Sequence, residues 1–169
     1  MLLPQYSAPD YCVTNSEFAE GLAVLEENNL HWEWCCHYKA MPYVAQVCAS
    51  KPNMNFVLDH LGRNGGTEDD IEEWKAAITL VAQNSNVVAK IGAIEEWGVA
   101  NPAPILDFAI GLFGFGRIMF ESNWFVSKAF GFSYEELLNT AKDACIRNEA
   151  TDADLAAVFE KNAERVYRL

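Results

Sequence analysis

The feature that most restricts the fold is an alternation. Four short apolar runs, at residues 30–36, 55–59, 86–91 and 117–121, are each followed by a stretch whose apolar residues recur at helical spacing. No stretch reads as an antiparallel hairpin. Strands separated by helices pair in parallel, and a parallel sheet needs helices against its faces. Ser16 caps a first helix carrying Phe18, Leu22 and Leu25, which stops at Asn28-Asn29. Pro42 falls in the opening turn of a second, over 39–50, where its missing N–H costs little. Thr67 caps a third through Trp74, Ile78 and Val81, and the acidic run 69–73 suits the positive end of that helix. Pro102 and Pro104 lead into a fourth over 105–113, and Gly114 and Gly116 free the chain to turn into the last strand. Helices over 133–146 and 152–166 follow. The expectation is an α/β fold of about four parallel strands with covering helices plus a C-terminal helix.

Composition bounds the rest. With 169 residues, 51% of them hydrophobic, the chain can bury one real core and reads as a single domain over 1–169. A formal charge of −12 repels a polyanion, so nucleic acid is excluded as a partner. No apolar run is long enough for a membrane span, and Met1 to Leu3 lack the basic start of a signal peptide. A cytoplasmic location is expected by default. Cys12, Cys35, Cys36, Cys48 and Cys145 show no paired spacing and read as reduced thiols, with Cys35 and Cys36 as small buried strand residues.

In parallel α/β folds reactive groups collect where strands exit at their C-terminal ends. Those positions hold His37, His60, Lys90 and Asn123, with Glu121 and Trp124 beside the last. His60, in Asp59-His60-Leu61-Gly62, is a general base or metal ligand, or else a ring bonded to a loop carbonyl. Asp59 points the opposite way along the pleat and reads as a structural acceptor. His37 could bind a substrate carboxylate or a metal, or sit as a surface histidine. Lys90 ends an apolar strand, so its ammonium must reach an anionic substrate, solvent or a carboxylate of the protein. Asn123 can orient a carbonyl or water but cannot accept a proton. Glu121 supplies a carboxylate, and Trp124 and Phe125 wall a pocket or pack beneath it.

Three blocks carry a resemblance: Phe56-Val57-Leu58-Asp59-His60-Leu61-Gly62, Asn86-Val87-Val88-Ala89-Lys90-Ile91-Gly92, and Arg117-Ile118-Met119-Phe120-Glu121-Ser122-Asn123-Trp124. With a fourth block from Phe159 to Leu169, they resemble the amidohydrolase-related (amidohydrolase 2) family in order and spacing. The likeness is firm from residue 56 and weaker over 17–55. It implies the C-terminal half of a (β/α)₈ barrel. It also implies hydrolysis of a small lactone- or amide-like substrate, with His60 and Asn123 catalytic; joined to the strand-exit positions, it leads to the expectation that the substrate is carboxylated and bound by His37, Lys90, Glu121 and Trp124. Asn123 stands where most members have a metal- or proton-handling aspartate, and the Glu-Ser-Asn version marks a distinct branch. A divalent ion, zinc or manganese, is implied too, although the family's first-strand His-x-His pair has no counterpart here. Four strands cannot close an eight-stranded barrel. The alternative expectation is therefore a truncated, inactive member serving as a binding or assembly module, with homo-oligomers pairing through open strand edges.

Overall fold

A computed structural model describes residues 10–63 and 67–169. Its strands are β1 (Trp32–Trp34), β2 (Phe56–Leu58), β3 (Val87–Ile91) and β4 (Ile118–Phe120), hydrogen-bonded in that order into one parallel sheet. Each is shorter than its apolar run, because the flanking residues turn toward the neighbouring helix or site. A one-turn helix, α1 (Tyr11–Thr14), leads into α2 (Ser16–Glu27), whose N-cap is Asn15: its side chain accepts from the Phe18 N–H. The cap is thus one residue earlier than Ser16.

The helix after β1 is α3 (Met41–Ser50), entered through a 3₁₀ turn at Tyr38–Ala40. Thr67 and Asp70 form a reciprocal capping box before α4 (Ile71–Ala82). Then come α5 (Ala103–Phe113), a short α6 (Val126–Ala129) that the sequence pattern does not announce, and α7 (Tyr134–Arg147), boxed by Ser133 and Glu136.

The long C-terminal helix expected over 152–166 is divided. α8 (Asp152–Ala156) passes through a π turn, Ala157–Lys161, into α9 (Asn162–Tyr167). The extra residue in that turn rephases the helix. Asn162 is thereby buried, and its amide donates to the carbonyls of Phe115 (2.7 Å) and Ile118 (2.8 Å) at the start of β4.

Strand alternation sorts the sheet into two faces. Trp34, Phe56, Leu58, Val87, Ala89, Ile91 and Ile118 enter the main core with Val44, Trp74, Ile78, Val81, Leu106 and Ala109 from the helices. Trp74 is fully buried, and its indole N–H donates to the Leu61 carbonyl at 2.8 Å, so this donor is met inside the core. On the other face Val57, Val88 and Met119 are covered by Val166, with Ala163 and Tyr167 of α9 packed against them. Register puts Glu33 level with Val57 and Val88, and Lys90 level with Met119, so these charges share the second face. Among the described residues no helix is long and apolar enough to cross a membrane. Met1 to Leu3 lie outside them, as do residues 64–66 of the loop after His60.

Candidate active site

Three consecutive strands leave the sheet through residues in the left-handed region: His60 (φ 56°) after β2, Ala93 (φ 51°) after β3 and Asn123 (φ 49°) after β4. Outside glycine this conformation is costly and persists only where surrounding contacts enforce it. At β2 the enforcement is visible. Leu61 and Gly62 share the conformation, Leu61 is fully buried, and a Cβ on Gly62 would stand 2.0 Å from Met41 Cε. The turn lifts the His60 backbone N–H and ring toward β4.

There they meet Glu121. Its Oε1 accepts the His60 N–H at 2.8 Å and lies 2.6 Å from ring Nδ1. The ring contact is off the axis of a good hydrogen bond, leaving Nδ1 without a well-aligned partner, so its attraction is that of charge. Burial opposes a charge on the ring, but Glu121, joined by the charges of Asp59 and Glu96, outweighs it. The net effect holds the His60 pKa above 6.5. Gly92 makes room for this arrangement: a Cβ there would stand 2.1 Å from Glu121 Cγ.

Lys90 occupies the same face with only 14% of its side chain exposed. Its Nζ lies 2.9 Å from Asp59 Oδ1, 3.0 Å from Glu33 Oε2 and 3.7 Å from Glu121 Oε2. Burial alone would favour the neutral amine; Asp59 and Glu121 reverse this and push its pKa well up. Asp59 is pushed up in turn, by burial and by Glu121, against the pull of Lys90. It is an ion-pair acceptor, which agrees with a structural role. For Glu33 burial works against ionisation, but the Tyr167 hydroxyl, which donates to Glu33 Oε1, and Lys90 prevail and lower its pKa.

Asn123 sits two residues beyond Glu121, and both hydrogens of its amide are engaged. Nδ2 donates to Glu95 Oε1 (3.0 Å) and Glu96 Oε1 (3.1 Å), in the 3₁₀ turn after β3. Buried Ser127 of α6 also donates to Glu95 Oε1. Only a donor can sit between two carboxylates, which is a physical reason for an amide here.

His60, Lys90 and Glu121 are therefore brought together, with Asn123 at their edge. His37 makes its contacts elsewhere: it caps the following turn, rests its ring on Tyr38 at 4.2 Å, and pairs with Arg63 in an isolated bridge. Burial and Lys39 lower its pKa. Trp124 is 45% exposed and stands edge-on to Tyr134. Among the described residues no hydrogen bond or ion pair ties His37 or Trp124 to the His60 group. Sequence reasoning passed over Glu33, Glu95 and Glu96. The first was signalled by a charge inside an apolar strand, the others by their place just past the β3 exit.

A family model described as Amidohydrolase matches residues 2–169. The chain belongs to the amidohydrolase family. It is 27% identical over 172 residues to L-fucono-1,5-lactonase of Burkholderia multivorans, an alignment covering 93% of this chain and 57% of that protein. Its fold superposes on an amidohydrolase from Burkholderia multivorans solved with bound zinc, with a TM-score of 0.88 and 26% identity, over 99% of this chain and 63% of the other. It also superposes on amidohydrolase 2 from Bifidobacterium longum subsp. infantis, with a TM-score of 0.70 and 25% identity, covering 90% and 55%. The chain thus spans roughly three-fifths of the length of these relatives, and the sheet corresponds to part of a TIM-type barrel.

A zinc-bound relative raises the question of a metal here. Among the described residues no group of three or more His, Cys, Asp or Glu is arranged to hold one. The nearest carboxylates are each engaged through at least one oxygen: Glu121 by His60, Asp59 and Glu33 by Lys90, Glu95 and Glu96 by Asn123. The described residues by themselves do not fit a divalent ion.

Proposed function

We propose that this amidohydrolase hydrolyses a small lactone- or amide-like substrate by attack of water on a polarised carbonyl. The observation that carries the reading is the His60–Glu121 contact at a strained strand exit. An imidazole whose charged form is favoured by a buried carboxylate can donate to a carbonyl oxygen as negative charge develops on it. Asn123, whose amide nitrogen is engaged, offers Oδ1 to orient the water. The likeness to a lactonase supports the same reaction class.

The substrate inferred from sequence alone is carboxylated, bound through His37 and Lys90. Lys90 is already surrounded by Glu33, Asp59 and Glu121, and Glu95 and Glu96 add further negative charge nearby. An anion would meet net repulsion at such a mouth. The reading therefore moves to a neutral lactone, with Trp124 as an exposed aromatic face against which its ring could stack.

The test is turnover of a panel of neutral sugar lactones, carboxylated lactones and amides by purified protein, with and without added zinc or manganese. Neutral lactones are expected to be preferred, and His60→Ala to lose at least about 100-fold in kcat. Absence of turnover on the whole panel, or a His60→Ala variant as active as the parent, refutes the reading.

A second reading, a binding or assembly module, is favoured by the sheet's edges: among the described residues β1 and β4 each pair on one side only. Light scattering that finds a folded dimer in an inactive protein would select it.

A further inference from the structure

If His60 keeps its proton, something else must accept the one released by the attacking water. The carboxylates at the mouth differ in how far they are already engaged. Glu121 Oε1 takes the His60 N–H and its Oε2 faces Lys90. Glu33 is engaged through both oxygens, by Lys90 and Tyr167, and Asp59 is paired with Lys90 through Oδ1. Glu95 is bonded by Ser127 and Asn123 through Oε1, while its Oε2 is buried with no partner. Glu96 is different. It is half-buried, Asn123 holds its Oε1, and among the described residues no hydrogen bond or ion pair engages Oε2.

We propose that Glu96 is the general base of the site and that Asn123 is its positioning residue, fixing one carboxylate oxygen so that the other faces the water. This rests on the hydrolase reading above. The backbone supports it: Glu96 ends the 3₁₀ turn Ile94–Glu96, which is entered through left-handed Ala93, so the strained β3 exit is what carries this carboxylate toward β4. Its charge is also among those felt at the His60 ring, which places it within electrostatic range of the polarising group.

The step balances as follows. The water oxygen bonds to the carbonyl carbon as one water proton passes to Glu96 Oε2, and the carbonyl π pair moves onto the oxygen facing the His60 imidazolium. The carbonyl then re-forms, the bond to the leaving oxygen or nitrogen breaks with its electron pair, and that atom takes the proton from Glu96. The carboxylate is regenerated and His60 ends as it began.

Four variants test this on the best substrate of the panel. Glu96→Gln is expected to lose about 10²–10⁴ in kcat with little change in KM, the usual weight of a general base. Added formate should restore part of the activity of Glu96→Ala and none of that of His60→Ala. Asn123→Asp places a like charge beside Glu96, so the acidic limb of its kcat/KM profile should move to higher pH. A parent protein without turnover fails the hydrolase reading and takes this proposal with it. An active parent whose Glu96→Gln variant stays within about fivefold, or whose acidic limb is unmoved by Asn123→Asp, overturns the base assignment alone.

Discussion

Replacing Lys90 by methionine isolates the electrostatic logic of the site. Methionine nearly matches the stem of lysine, so the volume on the face shared with Val57, Val88 and Met119 is retained and the change is mainly the loss of one buried charge. Three carboxylates are then left facing one another: Asp59 with 10% of its side chain exposed, Glu121 with 19% and Glu33 with 33%. Removing one member of a buried ion pair typically costs about 3–5 kcal/mol, because the partner stays desolvated and unpaired. For a chain of this length that is a fall in Tm on the order of 10 °C.

The pH dependence supplies the stricter test. In the parent protein Asp59 is already raised above its ordinary 3.8, by burial and Glu121 against the pull of Lys90. Without Lys90 it rises further. A carboxyl whose folded pKa lies above its unfolded one binds more protons when folded. Stability therefore falls as pH rises from the unfolded value through the folded one, and is recovered on acidification. Thermal and urea unfolding of Lys90→Met, followed by circular dichroism from pH 7 toward pH 4, should show the gap from the parent narrowing. Adding Asp59→Asn should recover part of the loss at pH 7. A variant as stable as the parent at pH 7, or a gap that does not change with pH, would refute the assignment of Lys90 to internal compensation and return it to substrate binding.

Two other substitutions probe how the site is built. Gly92→Ala should cost about 1–3 kcal/mol by overpacking against Glu121 and lower the His60 titration midpoint seen by NMR as the carboxylate is displaced; an unchanged unfolding curve and midpoint would mean the close approach is not needed. Asn162→Ala strands the Phe115 and Ile118 carbonyls beneath the π turn and should cost about 1–3 kcal/mol in urea titration, with a loss below about 0.5 kcal/mol counting against that role.

How much was readable in advance follows from the range of the forces involved. The sequence alone determined the four strands and the longer helices between and after them, though not α6 or the π turn. Caps at Thr67 and Ser133, prolines at 42 and 104, and apolar runs between helical stretches act within a few residues, so they dictate four parallel strands wherever the chain places them. Strand exits, too, are local, which is why His60, Lys90, Glu121 and Asn123 could be named from their positions.

What each of those residues faces could not be named. The π turn depends on Asn162 finding two carbonyls more than forty residues away, against a local pattern that suits an unbroken helix. Lys90 was free in sequence to bind an anion. Only the register of β1 to β3 brings Glu33 and Asp59 within 3.0 Å of its ammonium and turns a binding group into a compensated one. In the same way Asn123 could read as an orienting amide, and tertiary structure set it between Glu95 and Glu96. Local propensity fixes where a side chain leaves the backbone. Charge and hydrogen bonding across strands, settled only when the sheet forms, decide what it can do there.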